Sequence, residues 1–283
     1  MQKSIKHSAQ CSGMTITGKF QTAVTFFPAP PDTGIVFIRD DLPGKPQIEC
    51  RAEYASADSR WTSLMKNTIH IEHTEHLLAA ITGLGIDNLK IHLNSSHVPV
   101  VSQFSCHDFT NALLQAEPVI QHLPKKYLTV TKPQWIFDSF TFEGECYDNI
   151  LIALPAAEPT FTYLLDYPNK QLPTQLAHYK LTPDSNFVSD LSPARSYIMD
   201  FEYDLVEGLI GSMIDQCLVL SNDKNNKLRW DNEPARHKLV DLLGDLATIG
   251  IPVKGHFIGI RTGHKTNIRM AKKLIEAFGG DCR

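Results

Sequence analysis

The stretch Arg236-His-Lys-Leu-Val-Asp-Leu-Leu-Gly-Asp245 sets His237, Asp241 and Asp245 at steps of four residues. In an α-helix that step stacks the three side chains in one stripe. The helical pattern runs over residues 234–249, and Gly250-Ile-Pro252 stops it. A His and an Asp one turn apart can reach a single cation. They suit zinc at about 2.0 to 2.2 Å, and a third protein ligand would leave a coordination position for water. Taken alone, the stripe is equally compatible with an ordinary charged face turned to solvent.

Two other stretches offer partners for that stripe. In Ile71-Glu-His-Thr-Glu-His76 the two histidines are three residues apart and Glu75 immediately precedes the second, which departs from the His-Glu-x-x-His pattern of common metalloproteases. Ile71, Leu77, Leu78 and Ile81 recur at helical spacing over residues 71–82, so His76 lies beside Glu75 on a helix whose other face is apolar. Both histidines, one of them or neither could bind metal. Gly263-His-Lys-Thr-Asn267 places His264 where a strand gives way to a helix. That position suits a polar group aimed into a cleft, or a capping or surface histidine.

Around these stretches the chain reads as two units of sheet and helix. In the first, residues 23–27 and 35–38 form two strands joined by a rigid turn built on Pro28-Ala-Pro-Pro31 and Asp32-Thr-Gly34. The helix over 71–82 is ended by Gly83, residues 89–93 and 98–101 are extended, and 108–115 is helical. This α+β unit closes near Glu117, and residues 118–124, with two prolines, read as a linker. Strands are then expected at 127–130, 135–142, 149–154 and 160–165, with 166–183 winding over the surface. Residues 253–260 have strand composition, and from Gly263 a last helix presents Ile268, Ala271, Leu274, Ile275 and Phe278 on one face. Between Leu205 and Val219, the residues Leu205, Leu209, Ile210, Met213, Ile214 and Leu218 make an apolar insertion, either a buried helix and strand or a lining for a lipid chain.

Composition narrows the function classes. With 283 residues, 42% of them hydrophobic, the chain can bury a large core as one large or two ordinary domains. A net charge of -4 supplies no field for a polyanion, so nucleic acid is not an expected partner. Residues 1–21 lack a continuous apolar segment, and no run approaches the roughly 18 apolar residues of a membrane span; stable membrane insertion is not expected, and the cytoplasm is. The six cysteines are scattered without a CxxC pair and read as reduced small hydrophobes. What the three polar stretches jointly provide is the equipment of metal-assisted amide hydrolysis. Zinc activates water and polarises the carbonyl, a carboxylate takes the water's proton, and a separate acid protonates the departing nitrogen. Asp245 is well placed in sequence to hold such an acid imidazole.

Several further stretches, in order along the chain, resemble the UDP-3-O-acyl-N-acetylglucosamine deacetylase family, zinc enzymes of lipid A biosynthesis. They are Phe26-Phe-Pro-Ala-Pro-Pro-Asp-Thr-Gly-Ile-Val-Phe37, Thr74-Glu-His-Leu-Leu-Ala-Ala80 with Gly83-Leu-Gly-Ile-Asp-Asn88, Ala194-Arg-Ser-Tyr197, Arg236 to Asp245, and Gly263 to Asn267. The resemblance implies an α+β fold of two similar two-layer domains, residues 1–122 and 126–283, with helices packed between two β-sheets and the site at their interface. It implies that Zn2+ is held by His76, His237 and Asp241, that Glu75 is the general base, and that His264, oriented by Asp245, is the general acid and electrostatic partner. His73 matches no family ligand. Lys238 matches a lysine that contacts the nucleotide sugar. Ser196 stands for a threonine that helps polarise the scissile carbonyl, and Tyr197 for a phenylalanine. The apolar insert near 198–219, with Leu209 and Met213, would line the acyl chain. The expected partner is a UDP-linked acylated amino sugar, losing acetate to a monomeric enzyme.

Departures accompany the resemblance. Thr15-Ile-Thr-Gly18 lacks the histidine of the family's Leu-His-Ser-Gly, Val98-Pro-Val-Val-Ser-Gln-Phe-Ser105 has Ser102-Gln103 where Asp-Gly is usual, and the insert is slightly short. These leave open a diverged deacetylase of another N-acetylated sugar, or a zinc-binding homologue without turnover.

Overall fold

The computed structural model of the chain describes residues 1–168, 172–221 and 227–279. Cys282 and the 169–171 part of the expected surface segment lie outside them. Among the described residues are the α-helices α1 (Glu75–Gly83), α2 (His107–Gln115), α3 (Phe187–Asp190), α4 (Tyr203–Ile210), α5 (Glu233–Ala247) and α6 (His264–Phe278). The fold is α+β.

Two five-stranded sheets repeat one topology. The first has the order Ala9–Met14, Gln21–Pro28, Leu89–Leu93, Ile35–Arg39, Gln47–Glu49, and only the pair Leu89–Leu93 with Ile35–Arg39 is parallel. The second has the order Gln134–Phe142, Glu145–Leu154, His256–Ile260, Thr160–Leu165, Gln175–Lys180, with its parallel pair in the same place. No sequence repeat announces this symmetry. It also corrects the expected hairpin over 23–38: Leu89–Leu93 inserts between the two strands. The proline-rich connection is too long and stiff for a tight turn, so its ends stay one strand apart.

Other departures from the sequence reading follow from pairing between remote segments. The expected linker contains the strand Pro118–Ile120, which pairs antiparallel with Lys3–Ile5. The expected surface segment contains Gln175–Lys180, an edge strand that alternates exposed and buried positions. Residues 98–101 form no strand; Val100 makes an isolated bridge to Met14. Helix α1 does end at Gly83, as expected, and Gly83 is also a packing site, since a Cβ there would fall 2.4 Å from the Phe187 ring.

Helices α1 and α5 lie in the interior. Every residue from Glu75 to Ile81 is buried, and so are twelve of the fifteen residues of α5. A helix buried on all sides belongs to the middle layer of a fold. Leu77, Leu78, Leu239, Leu242 and Leu243 join Phe26, Phe37 and Ile91 of the first sheet and Leu151, Phe161 and Phe257 of the second in one core cluster. Each such side chain contributes about 1.5–3 kcal/mol.

The two helices touch through backbone. A Cβ on Gly244 would lie 2.0 Å from the carbonyl oxygen of Glu75. No side chain larger than hydrogen fits at that crossing. Gly244→Ala is therefore expected to lower the denaturant midpoint, by an overpacking cost of roughly 1–3 kcal/mol. Gly208→Ala in α4, where a Cβ meets nothing within 4 Å, is expected to be neutral or stabilising; equal losses in both variants would refute the close-approach account.

Candidate metal centre

The α1/α5 crossing brings residues more than 150 positions apart into one cluster. His76 Nε2 and His237 Nε2 each lie 3.4 Å from Asp241 Oδ1. Ligands about 2.1 Å from a tetrahedral zinc stand about 3.4 Å from one another; both His–Asp distances match that spacing, and the three donor atoms all lie within 4.8 Å of one another, a set with the chemistry of a zinc site. All three side chains are at most 5% exposed. His237 Nδ1 is 3.1 Å from the Ala194 carbonyl oxygen. Donating there leaves the Nε2 lone pair turned to the centre. Burial pushes the His237 imidazolium down, to about 4, outweighing the opposing pull of Asp241. A neutral imidazole is the form that binds metal.

The buried carboxylates are driven apart. Burial alone would raise Asp241, but the charge of Lys238 and then of His237 carries it well below the usual carboxylate range. Lys238 Nζ donates to Asp241 Oδ2 at 2.9 Å and stands 5.7 Å from the centre of the Tyr197 ring. For Glu75 burial wins and its proton affinity rises. Two neighbouring carboxylates so displaced are suited to different work: one stays ionised as a ligand, the other can take up a proton.

Around Asp245 a network fixes the remaining groups. Asp245, fully buried, accepts from Thr62 Oγ1 at 2.6 Å, from Asn267 Nδ2 at 2.8 Å and from His264 Nδ1 at 2.9 Å. Burial disfavours the His264 cation, but Asp245, helped by Asp241 and Glu75, more than offsets it and lifts His264 to about 10. Thr62 also uses its backbone N–H, donating to Glu75 Oε2 at 3.0 Å. One residue thus holds both Glu75 and the partner of His264.

These groups face a cavity of about 130 Å3 lined by Glu75, His76, His237, Lys238, Asp241 and His264 at its polar end. Ser196 and Tyr197 also line it, at the start of the strand Tyr197–Met199, and Leu209 lies on its apolar wall. Met213 does not line that wall. It is buried in a second small core with Ile16, Val100, Phe104, Ile198, Val206, Ile210 and Ile214. The insert is thus a helix, α4, followed by the 3-10 segment Gly211–Gln216 and the strand Leu218–Leu220, packed on a core of its own. A larger groove, about 1160 Å3, runs along the outer junction of the two sheets' layers, but no histidine lines it. It offers no constellation comparable to that of the smaller cavity.

His73 stands within reach of the centre without joining its ligand triad. Its Nε2 is 3.8 Å from Glu75 Oε1, its Nδ1 is buried without a partner, and His73, Glu75 and His76 form a second group of neighbouring donors. Thr62, Asn267 and the cavity residues Arg60, Trp61 and Phe104 were given no role by the sequence reading. For Thr62 no local signal exists, because its partners lie 13 and 183 positions away. Trp61 Nε1 donates to Glu72 Oε2 at 2.6 Å, and Arg60 pairs with Glu202 at 2.6 Å.

The chain is similar to known proteins over nearly its whole length. The chain is 33% identical over 283 residues to a UDP-3-O-acyl-N-acetylglucosamine deacetylase of Bdellovibrio bacteriovorus, covering 98% of this chain and 90% of that protein. It is 34% identical to a protein of the same name from Thermodesulfovibrio yellowstonii, covering 97% and 92%. It is also 31% identical to a bifunctional enzyme LpxC/FabZ of Chlorobaculum tepidum, of whose length it spans 64%. The model of the family described as UDP-3-O-acyl N-acetylglycosamine deacetylase matches residues 2–276. With nearly the whole chain matched, and with His76, His237 and Asp241 brought to one point, this protein belongs to the UDP-3-O-acyl N-acetylglycosamine deacetylase family.

Proposed function

We propose that this protein is a zinc-dependent hydrolase that removes acetate from UDP-3-O-((R)-3-hydroxyacyl)-N-acetylglucosamine in lipid A biosynthesis, acting as a cytoplasmic monomer. Residues 1–122 and 126–283 would be its two domains, each built on one five-stranded sheet. The observation that carries the reading is the cluster of His76, His237 and Asp241, with their donor atoms within 4.8 Å of one another, and Glu75 and His264 in the same cavity. Metal binding alone would not require that last pair. Among the described residues, no helix is long and apolar enough to cross a membrane.

His76, His237 and Asp241 would hold the metal, which when bound supplies Lewis-acid activation of water and of the acetamide carbonyl. Glu75, its Oε2 tied to Thr62, keeps Oε1 for the water's proton, and its raised affinity suits it to receive one. Ser196 can donate a hydrogen bond to the scissile carbonyl oxygen. His264, charged at neutral pH and gripped through Nδ1 by Asp245, presents Nε2 to the cavity. In that state it stabilises the developing negative charge and then gives its proton to the leaving nitrogen. Lys238 and the Tyr197 ring would bind the sugar, and Leu209 the start of the acyl chain.

The assignment separates holding metal from moving protons. His237→Ala and Asp241→Ala are expected to lose zinc, measured by atomic emission on purified protein. Glu75→Gln and His264→Gln should keep it while acetate release from the nucleotide-linked acyl amino sugar falls by at least about a hundredfold, the scale of general acid–base catalysis. Full zinc in His237→Ala would overturn the ligand set, and full acetate release in Glu75→Gln the base.

A second expectation concerns pH. In metal-free protein the folded value for His264, about 10, exceeds the ordinary 6.5. Its contribution to stability is therefore complete below about 6.5 and is lost as pH rises through about 10. The melting-temperature gap between chelator-treated wild type and His264→Gln should be widest near pH 6 and close by pH 10; a gap independent of pH would contradict the ion pair with Asp245.

A further inference from the structure

The two five-stranded sheets share a topology but not an outer face. In the second sheet Ile136, Leu151, Ala153, Phe161, Tyr163 and Phe257 are buried in the core, and the residues between them point the other way. Those outward residues line up across all five strands. The register sets Phe137, Ile150, Ile260, Leu164 and Leu176 in one row, and Trp135, Ile152, Ile258, Thr162 and His178 in the next. A corresponding row of the first sheet reads Gln10, Thr25, His92, Ile38 and Gln47. Four of its five residues are polar, so the topology itself does not call for an apolar outer face. On the second sheet Trp135, Phe137 and Leu176 are 58%, 57% and 58% exposed. A contiguous apolar face left in water marks a contact surface.

The size of the face and the charge beside it distinguish its occupants. Five strands about 4.8 Å apart and two rows about 7 Å apart make a patch on the order of a few hundred Å2. A stable protein pair buries roughly 800 Å2 on each partner, about twice as much. A bilayer asks for less area, because anionic headgroups add attraction to the burial of apolar side chains. Cations stand where such headgroups would lie. Helix α6 carries Lys265, Arg269, Lys272 and Lys273 against the single acid Glu276, and Lys265, Arg269 and Lys272 are exposed. Lys273 Nζ donates to the Trp135 carbonyl oxygen at 2.8 Å and stands 5.5 Å from the centre of the Trp135 ring. The basic helix therefore meets the apolar face at its edge strand. Lys132 is exposed just before that strand, and Asp138 within it is paired with Arg269 at 2.5 Å. The acids Glu143, Glu145 and Asp148 gather at the opposite end, by the turn between Gln134–Phe142 and Glu145–Leu154.

We propose that this face, with the α6 cations at its Trp135–Phe137 edge, docks the protein on the surface of an anionic phospholipid bilayer. Trp135, Phe137 and Leu176 enter the boundary between headgroups and acyl chains, while Lys132 and the α6 cations pair with headgroup phosphates. The contact is peripheral: side chains enter and the backbone stays outside. Helix α6 begins with His264, which lines the cavity, and reaches Lys273 beside Trp135 about 14 Å further along its axis. The docking edge is thus set apart from the cavity. The inference does not rest on the deacetylase reading.

The test is co-sedimentation with vesicles in the absence of substrate. Wild type should bind vesicles of phosphatidylcholine mixed with phosphatidylglycerol, bind phosphatidylcholine alone at least about tenfold more weakly, and come off the mixed vesicles as salt rises. Trp135→Thr and Phe137→Thr, which keep a β-branched residue in the strand, should each weaken binding at least about tenfold. Lys132→Gln and Lys272→Gln should each weaken it about fivefold. Tryptophan emission should shift to the blue on the mixed vesicles in wild type and stay in place in Trp135→Thr. Phe27→Thr, on the outer face of the first sheet, should bind as wild type does. Should a threonine variant fail to fold, judged by melting temperature, Leu176→Thr and the two glutamine variants decide. Absence of binding to the mixed vesicles, or binding unmoved in the folded variants, overturns the proposal. So does a dimer in sedimentation velocity that Phe137→Thr dissociates, which would assign the face to a second copy of the chain. Vesicle binding without acetate release would reject the deacetylase reading alone, and acetate release without vesicle binding would reject the docking alone.

Discussion

The centre depends on a contact between two helix backbones. Where α5 crosses α1, Gly244 leaves room for the Glu75 carbonyl and for nothing else. That approach sets the spacing between a stripe on one helix, His237, Asp241 and Asp245, and the first turn of the other, Glu75 and His76. Side chains as short as Asp and His can converge on one cation only if their helices are this near. Burial on both sides by the two sheets then holds the crossing and removes solvent from the groups inside it.

Removal of solvent differentiates chemically similar side chains. Asp241, Glu75 and Asp245 are all buried, yet each meets a different partner: Lys238 and the imidazoles, a backbone N–H, and His264 with two neutral donors. In a low-dielectric interior, partners of this kind decide which carboxylate stays ionised and which gains affinity for a proton. Thr62 has a special place in this arrangement. It ties Glu75 from the N-terminal half to Asp245 from the C-terminal half, so the Glu75 carboxylate and the partner of His264 share one anchor.

The insert shows a different relation between packing and function. Its apolar residues divide between a small core of their own and one wall of the cavity. Leu209 faces the cavity while Met213, four residues on, does not. Periodicity marks both as apolar positions, but the change from α-helix to 3-10 geometry at Gly211 breaks the common face that helical spacing would have given them.

From the sequence by itself came the α+β class, the His/Asp stripe on 234–249, the pairing of Glu75 with His76 and the junction at His264, because these are local patterns of three and four residues that the helix repeat converts directly into direction; that the stripe is buried came from the fold. Resemblance to a family reduced the two histidines of 71–76 to one expected ligand, which periodicity could not do. Tertiary structure alone decided the strand order that parts 21–28 from 35–39, the strands at 118–120 and 175–180, the double role of Thr62, the displacement of Met213 from the cavity and the meeting of Ile16 with Phe104. Those features rest on contacts between segments far apart in the chain. Their partners are chosen by the packing of sheets and helices, which no window of neighbouring residues contains.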